Sequence, residues 1–186
     1  AFDNINTYKT ALNRIRNVNI SSIIKLCHEL LPEQWKSYPW KHPELVHGIG
    51  LLASEDALNC YMSAYGEMHV GKLRAAIMNF PFNKLVGSIE IVDWGCGQGI
   101  GSATLIEVLQ QRDLLKWVKR ITLVEPSPNA IQRALCNISK MVDNNIEINA
   151  INKFMAATVE VTGEVVTSVD YRYSNVIHVF SNILDV

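Results

Sequence analysis

Between residues 20 and 31 the apolar positions Ile20, Ile23, Ile24, Cys27, Leu30 and Leu31 recur at the three-and-four spacing of one helix face, and Pro32 ends the run. The stretch EQWKSYPWKHPEL that follows carries Trp35, Pro39, Trp40 and Pro43, a composition that predicts an irregular connector pinned by aromatic rings. Helical period returns from Ser54 to about Met78, with Ala57, Leu58, Tyr61, Met62, Tyr65, Met68, Lys72, Leu73, Ala76 and Ile77 on one side. A break in this long helix is expected near Gly66 or Gly71. Up to about Phe82 the chain reads as helical, without strand signals.

At Ser88 the pattern changes. SIEIVDW is a short β-branched run that stops at GCGQGIG, after which ATLIEVLQQRDLLKW is helical again. ITLVE reads as a second strand. Ser127 and Pro128 then supply a cap and a first-turn proline for a helix with Ile131, Ala134, Leu135, Ile138 and Met141 on one face. IEINAI is a third strand candidate, and NVIHVFSNIL a fourth, apolar on both faces as a strand inside a parallel sheet would be. Strands are thus expected near 88–94, 120–125, 146–151 and 175–181. Alternation of this kind predicts an α/β fold with a doubly wound, mostly parallel sheet over residues 83–186, preceded by a helical segment over 1–82. The stretch Ala156–Val169, rich in valine and threonine, fits the crossover helix expected there poorly, and its structure is left open.

Composition narrows the function classes. With 186 residues, 48% of them apolar and 19% charged, the chain can bury one core and is expected to form one domain. A net charge of −1 and a pI near 6.6 supply no basic field for a phosphate backbone, so nucleic-acid binding is unsupported. Cys27, Cys60, Cys96 and Cys136 are far apart with no C-x-x-C pair, which argues against a zinc site or a disulfide framework and suits free thiols in a reducing cytoplasm. The amino terminus lacks the apolar core of a signal peptide, and no stretch reaches the length of a membrane span. The chain opens on Ala1 and stops at Val186 directly after a strand-like run, so it is expected to be a fragment, its sheet cut after the fourth strand.

The chemistry is concentrated in IEIVDWGCGQGIG. Gly95, Gly97 and Gly99, placed between a strand and a helix, let the backbone turn tightly and let a ligand approach amides that no side chain covers. The dinucleotide fingerprint G-x-G-x-x-G fails in both registers: from Gly95 its last position is Ile100, and from Gly97 it is Ser102. Asp93, two residues before the first glycine, would repel a pyrophosphate but suits a ligand carrying ammonium and sulfonium charges, as S-adenosylmethionine does.

VDWGCGQG resembles motif I of the class I, Rossmann-like S-adenosylmethionine-dependent methyltransferases, whose pattern is an apolar strand, an acid and G-x-G-x-G. The resemblance covers about Ser88 to Val186. It implies that Asp93, Gly95, Cys96, Gly97 and Gly99 surround the cofactor, and that Glu125, with Pro126 after it, binds the ribose hydroxyls from the end of the second strand. Phe180, Ser181 and Asn182 in HVFSNILD match the place of motif IV, which puts Ser181 on the methyl-transfer side of the pocket. The Asp/Asn-Pro-Pro-Tyr signature of DNA amino-methylases is absent, which disfavours that subclass. Where the family often has an acid for the adenine amino group, this sequence offers Asn149 and Asn152. The expected function is methyl transfer to an unidentified acceptor, with no catalytic base evident; the alternative is a non-catalytic methyltransferase-like scaffold or ribosome-assembly factor.

Other candidates carry two readings each. Tyr65, His69 and Lys72 share one helix face, either to meet the cofactor's carboxylate through Tyr65 or Lys72 or simply to pack. Cys96 is read as a wall of the pocket, since no histidine is tied to it, and His28, His42, His47 and His178 lack metal-ligand spacing. The apolar fourth strand is expected to recruit a partner for its open edge: a second copy of the chain, or a rearranged Val159–Val169.

Overall fold

The computed structural model describes residues 3–48, 51–154 and 174–181. The helices are α1 (Asp3–Asn13), α2 (Ile20–Glu29), α3 (Glu33–Lys36), α4 (Glu55–Met78), α5 (Ile100–Gln111) and α6 (Pro128–Met141); the strands are β1 (Ile89–Trp94), β2 (Val118–Val124), β3 (Glu147–Ile151) and β4 (Asn175–Phe180). Helices α2, α4 and α6 start where a short polar side chain satisfies amides that an α-helix leaves open at its amino end. Asn19 and Ser22 form a reciprocal capping box for α2, Ser54 accepts from Ala57 N to start α4, and Ser127 does the same for α6 through Ala130 N, with Pro128 in the first turn.

The strands form one all-parallel sheet in the order β3-β2-β1-β4, the arrangement of a Rossmann-like sheet. β1 is central and lies in register with β2 from Glu90↔Arg120 to Trp94↔Val124, and with β4 from Ile89↔Asn175 to Trp94↔Phe180. The order reverses beside β1, because the chain moves outward through β2 and β3 and then returns to the other side of β1. In sheets of this kind ligands bind in the crevice outside the carboxyl ends of the strands at such a reversal. The β3–β4 connection, including the Val159–Val169 stretch, lies outside the described residues.

Alternation along β1 sends Ile89, Ile91 and Asp93 to one face and Glu90, Val92 and Trp94 to the other. The first face packs against α5 and α6, where Ile91, Ile121, Leu123, Ile106, Leu109, Ala134 and Ile138 are buried together. That cluster continues into Tyr8, Leu12, Ile20, Ile23 and Cys27 of α1 and α2, so the amino-terminal helices and the sheet share one apolar core. A smaller cluster, Leu31, Leu45 and Cys60, seats the aromatic connector, with Trp35 and Tyr65 against it. On the opposite face Glu90, Val92, Thr122 and Val124 are also buried, with Thr122 donating its hydroxyl to Glu90 Oε1.

Two expectations change. Helix α4 runs unbroken through both glycines. Gly66 is there for contact, not for bending: a Cβ at this position would stand 2.8 Å from Ile24 Cγ1, so its absence lets α2 and α4 close on each other. Strand β2 begins at Val118, two residues before the expected start at 120, because Val118 pairs with Ile89 and is buried there, while Lys119 stays exposed.

The two glycines of α4 are expected to respond oppositely to the same change. Nothing lies within 4 Å of a Cβ at Gly71, so Gly71→Ala gains helix propensity and should raise stability by about 0.5–1 kcal/mol. Gly66→Ala must displace the buried, stiff Ile24 side chain and should lower stability by about 1–2 kcal/mol. Denaturant unfolding of both variants checks the pair, and equal responses would contradict the contact described above.

Candidate functional site

The glycine loop turns away from β1 by means available only to glycine. Gly95, Gly97 and Gly99 have φ of 60°, 53° and 85°, all in the left-handed region where a Cβ meets the backbone. The loop is stitched to the sheet by Cys96 N donating to Val124 O (3.0 Å) and closed on itself by Gly99 N donating to Cys96 O (2.7 Å). Gly99 caps α5 beside Ala134 and Ile138 of α6, and its φ, not crowding, is what calls for glycine there. Gly97 differs: nothing lies within 4 Å of its missing Cβ, and the loop is open on that side.

Gly101 belongs to the same device, although the reading of the loop stopped at Gly99. A Cβ there would meet Val179 Cγ1 at 2.8 Å and Asp93 Oδ2 and Ser181 Oγ at 3.0 Å. Its absence brings the first turn of α5 down onto the ends of β1 and β4 and places Ser181 beside that turn. The signal was present as a fourth glycine at the same two-residue interval.

Asp93, facing α5, is fully buried. Its Oδ2 accepts from the amide (2.8 Å) and hydroxyl (2.7 Å) of Ser102, while its Oδ1 is buried and has no hydrogen-bond partner among the described residues. Burial pushes its pKa from 3.8 to about 6; the Ser102 bonds pull it down and the neighbouring Glu125 adds to the rise. A buried acid with one oxygen unanswered among the described residues has room for a cation or a further donor.

Glu125 follows β2 directly and reaches back across the turn. Its Oε2 accepts from Gly97 N (2.9 Å) and its Oε1 from Ser127 N (2.9 Å), so the carboxylate ties the glycine loop to the start of α6. Burial raises its pKa, and the two amides oppose the rise. Each oxygen keeps a second lone pair for a ligand hydroxyl. Asn152, beyond β3, donates its side-chain amide to Glu125 O (2.8 Å) and Pro126 O (2.9 Å), so one of the two asparagines considered for adenine holds the Glu125-Pro126 turn. Asn149 lies within β3, opposite Thr122.

Asp93, Gly95, Cys96, Gly97, Gly99, Glu125, Pro126 and Ser181 thus gather at the carboxyl ends of β1, β2 and β4, from parts of the chain up to 88 residues apart. Asn182 lies outside the described residues. Cys96 is buried, its thiol pushed well above its ordinary pKa by burial and by Asp93 and Glu125 nearby, which keeps it protonated and poorly nucleophilic. On α4 the Tyr61 hydroxyl meets His69 Nε2 at 3.0 Å with the two rings stacked, Tyr65 packs on the smaller cluster, and Lys72 is exposed. Those contacts are the packing alternative for this face. On the other sheet face Trp94 donates its indole N–H to His178 Nδ1 (3.1 Å) and lies parallel to Phe180, forming an aromatic row at the same sheet end.

No family model matches this chain, and neither does any curated protein. Among solved structures it is similar to a SAM-dependent methyltransferase of the DUF858 family from Leishmania major, with 17% identity and a TM-score of 0.36 over 66% of this chain and 48% of that one. It is also similar to a protein from Porphyromonas gingivalis W83 assigned provisionally to the methyltransferases, with 12% identity and a TM-score of 0.30 over 79% of this chain and 39% of that one. The chain spans less than half the length of either.

The state of Asp93 has a consequence for stability. The folded carboxyl holds its proton more tightly than the unfolded one, so between pH about 4 and about 6 the folded state binds more protons. Asp93's contribution is therefore full below that window and declines as pH rises through about 6. Asp93→Asn keeps an acceptor for Ser102 and removes the buried charge, and should stabilise the ligand-free protein at pH 7 by about 1–3 kcal/mol. Thermal unfolding at pH 4.5 and pH 7 checks this: the gain should shrink at the lower pH.

Proposed function

We propose that the chain binds S-adenosylmethionine at the carboxyl ends of β1 and β2 and serves a methyltransferase. The observation that carries this reading is the buried, half-satisfied carboxylate of Asp93 beside a glycine turn whose open side is at Gly97. A pyrophosphate would meet the negative charge of Asp93 and Glu125 together, whereas a ligand bearing positive charge relieves the cost of keeping Asp93 ionised. When bound, the cofactor supplies an electrophilic methyl group on a sulfonium.

The residues of the site would hold the ligand in a defined pose. The positive-φ glycines leave the loop's main chain open to close approach, and Glu125 has lone pairs left for the ribose hydroxyls after accepting from Gly97 and Ser127. Asp93 offers charge to the methionine end. Ser181, at the end of β4 against the first turn of α5, stands on the side from which an acceptor would come. The protein's contribution to transfer is then mainly orientation of the two reactants. The acceptor is not identified by these residues.

Calorimetry tests the reading. S-adenosylmethionine and S-adenosylhomocysteine should bind and NAD should not; binding of NAD alone would sink the proposal. Affinity for S-adenosylmethionine should rise as pH increases through about 6, where Asp93 gains its charge. Glu125→Ala should weaken binding by about 1–3 kcal/mol, because it removes both a ribose acceptor and the tether on Gly97.

A further inference from the structure

The longest side chain in the glycine loop is Gln98, and it points inward: it is buried, donating from Nε2 to Leu58 O of α4 (2.9 Å) and accepting at Oε1 from Arg133 Nη1 of α6 (3.2 Å). Its main-chain carbonyl is gripped as well, by Asn137 Nδ2 at 3.0 Å, and Asn137 Oδ1 in turn accepts from the Tyr8 hydroxyl of α1 at 2.6 Å. Arg133 is 1% exposed. Its guanidinium also donates to Glu55 Oε2 and to Asn59 Oδ1 (2.7 Å), and lies 3.8 Å over the Tyr8 ring. A buried cation is tolerated only when its donors are answered in this way, so the geometry around Arg133 is tightly specified.

Three glycines at positive φ give the loop wide conformational freedom, and the sheet fixes it only at Cys96 N. We propose that Gln98 and Arg133 are positioning residues for the cofactor: through them α1, α4 and α6 set the main chain from Gly97 to Gly99 against which the ligand lies. This rests on the reading of the site as a cofactor site. It makes the amino-terminal helices part of the binding apparatus, since Glu55, Asn59 and Tyr8 hold Arg133 from outside the βαβ unit. The preorganised loop binds without having to be ordered at the moment of binding, which is where the affinity comes from.

Gln98→Met keeps the volume and removes both side-chain bonds; Arg133→Lys keeps a charge for Glu55 but cannot also reach Asn59 and Gln98. Val118→Ala, at the amino end of β2 away from the loop, serves as a variant that destabilises without touching the network. For each, thermal stability, amide exchange at Gly97 and Gly99 in the ligand-free protein, and dissociation constants for S-adenosylmethionine and S-adenosylhomocysteine are measured. The two network variants are expected to weaken binding about tenfold and to speed exchange at both glycines, while Val118→Ala leaves both readouts at wild type for a similar loss of stability. Loop exchange and affinity that stay unchanged in the network variants, or that follow thermal stability in all three, would overturn the proposal. A wild-type chain that binds neither ligand would refute the cofactor reading, and the exchange comparison would then still uphold or overturn the pinning of the loop.

Discussion

A turn in which alternate residues hold positive φ strongly favours glycine, and a turn made of glycine has almost no side chains with which to hold itself. The site depends on how this chain meets that constraint. Three peptides of the loop are held from outside it: Cys96 N by the carbonyl of Val124, Gly97 N by the Glu125 carboxylate, and the Gln98 carbonyl by Asn137. The sheet order supplies the first of these, because β2 lies beside β1. The second comes from the residue directly after β2, and the third from α6, which follows.

The same arrangement explains why strongly polar groups lie deep in so small a protein. Arg133 shares the buried face of α6 with Ala130, Ile131, Ala134, Asn137 and Ile138, where an aliphatic residue would pack without the cost of desolvating a charge. An aliphatic residue could not hold Gln98, Asn59 and Glu55 at once. Conformational definition of the loop is what the buried cation provides, and the apolar core shared by α1, α2 and the sheet provides the stability against which its cost is set.

Asp93 is a second case of local instability retained at the site. Two donors from Ser102 do not offset the burial of its charge, and its pKa stays raised. The cost falls at the sheet's topological reversal, on the acid that the proposed reading turns toward the cofactor's positive charge.

Much of this was legible in the sequence. The period change at Ser88, the alternation of β-branched runs with amphipathic stretches, and the Ser127-Pro128 cap are local signals, and the four strands lie within two residues of where those signals put them. G-x-G-x-G spacing with a preceding acid is also local, since left-handed φ values favour glycine wherever the chain goes. Three kinds of fact needed the tertiary structure. Gly66 and Gly101 look like helix breakers in a string of letters; only the approach of Ile24 to one, and of Asp93, Val179 and Ser181 to the other, shows them to be contact points. Arg133 and Asn137, an i, i+4 polar pair on an apolar helix face, were a signal of buried hydrogen bonding but named no partners, because those partners are 35 to 129 residues away. Glu125 could be placed at a strand end by sequence, yet its hold on Gly97 follows from which strand lies beside which. Periodicity is fixed by the residues themselves, whereas a contact between distant residues is fixed only once the sheet order brings them together.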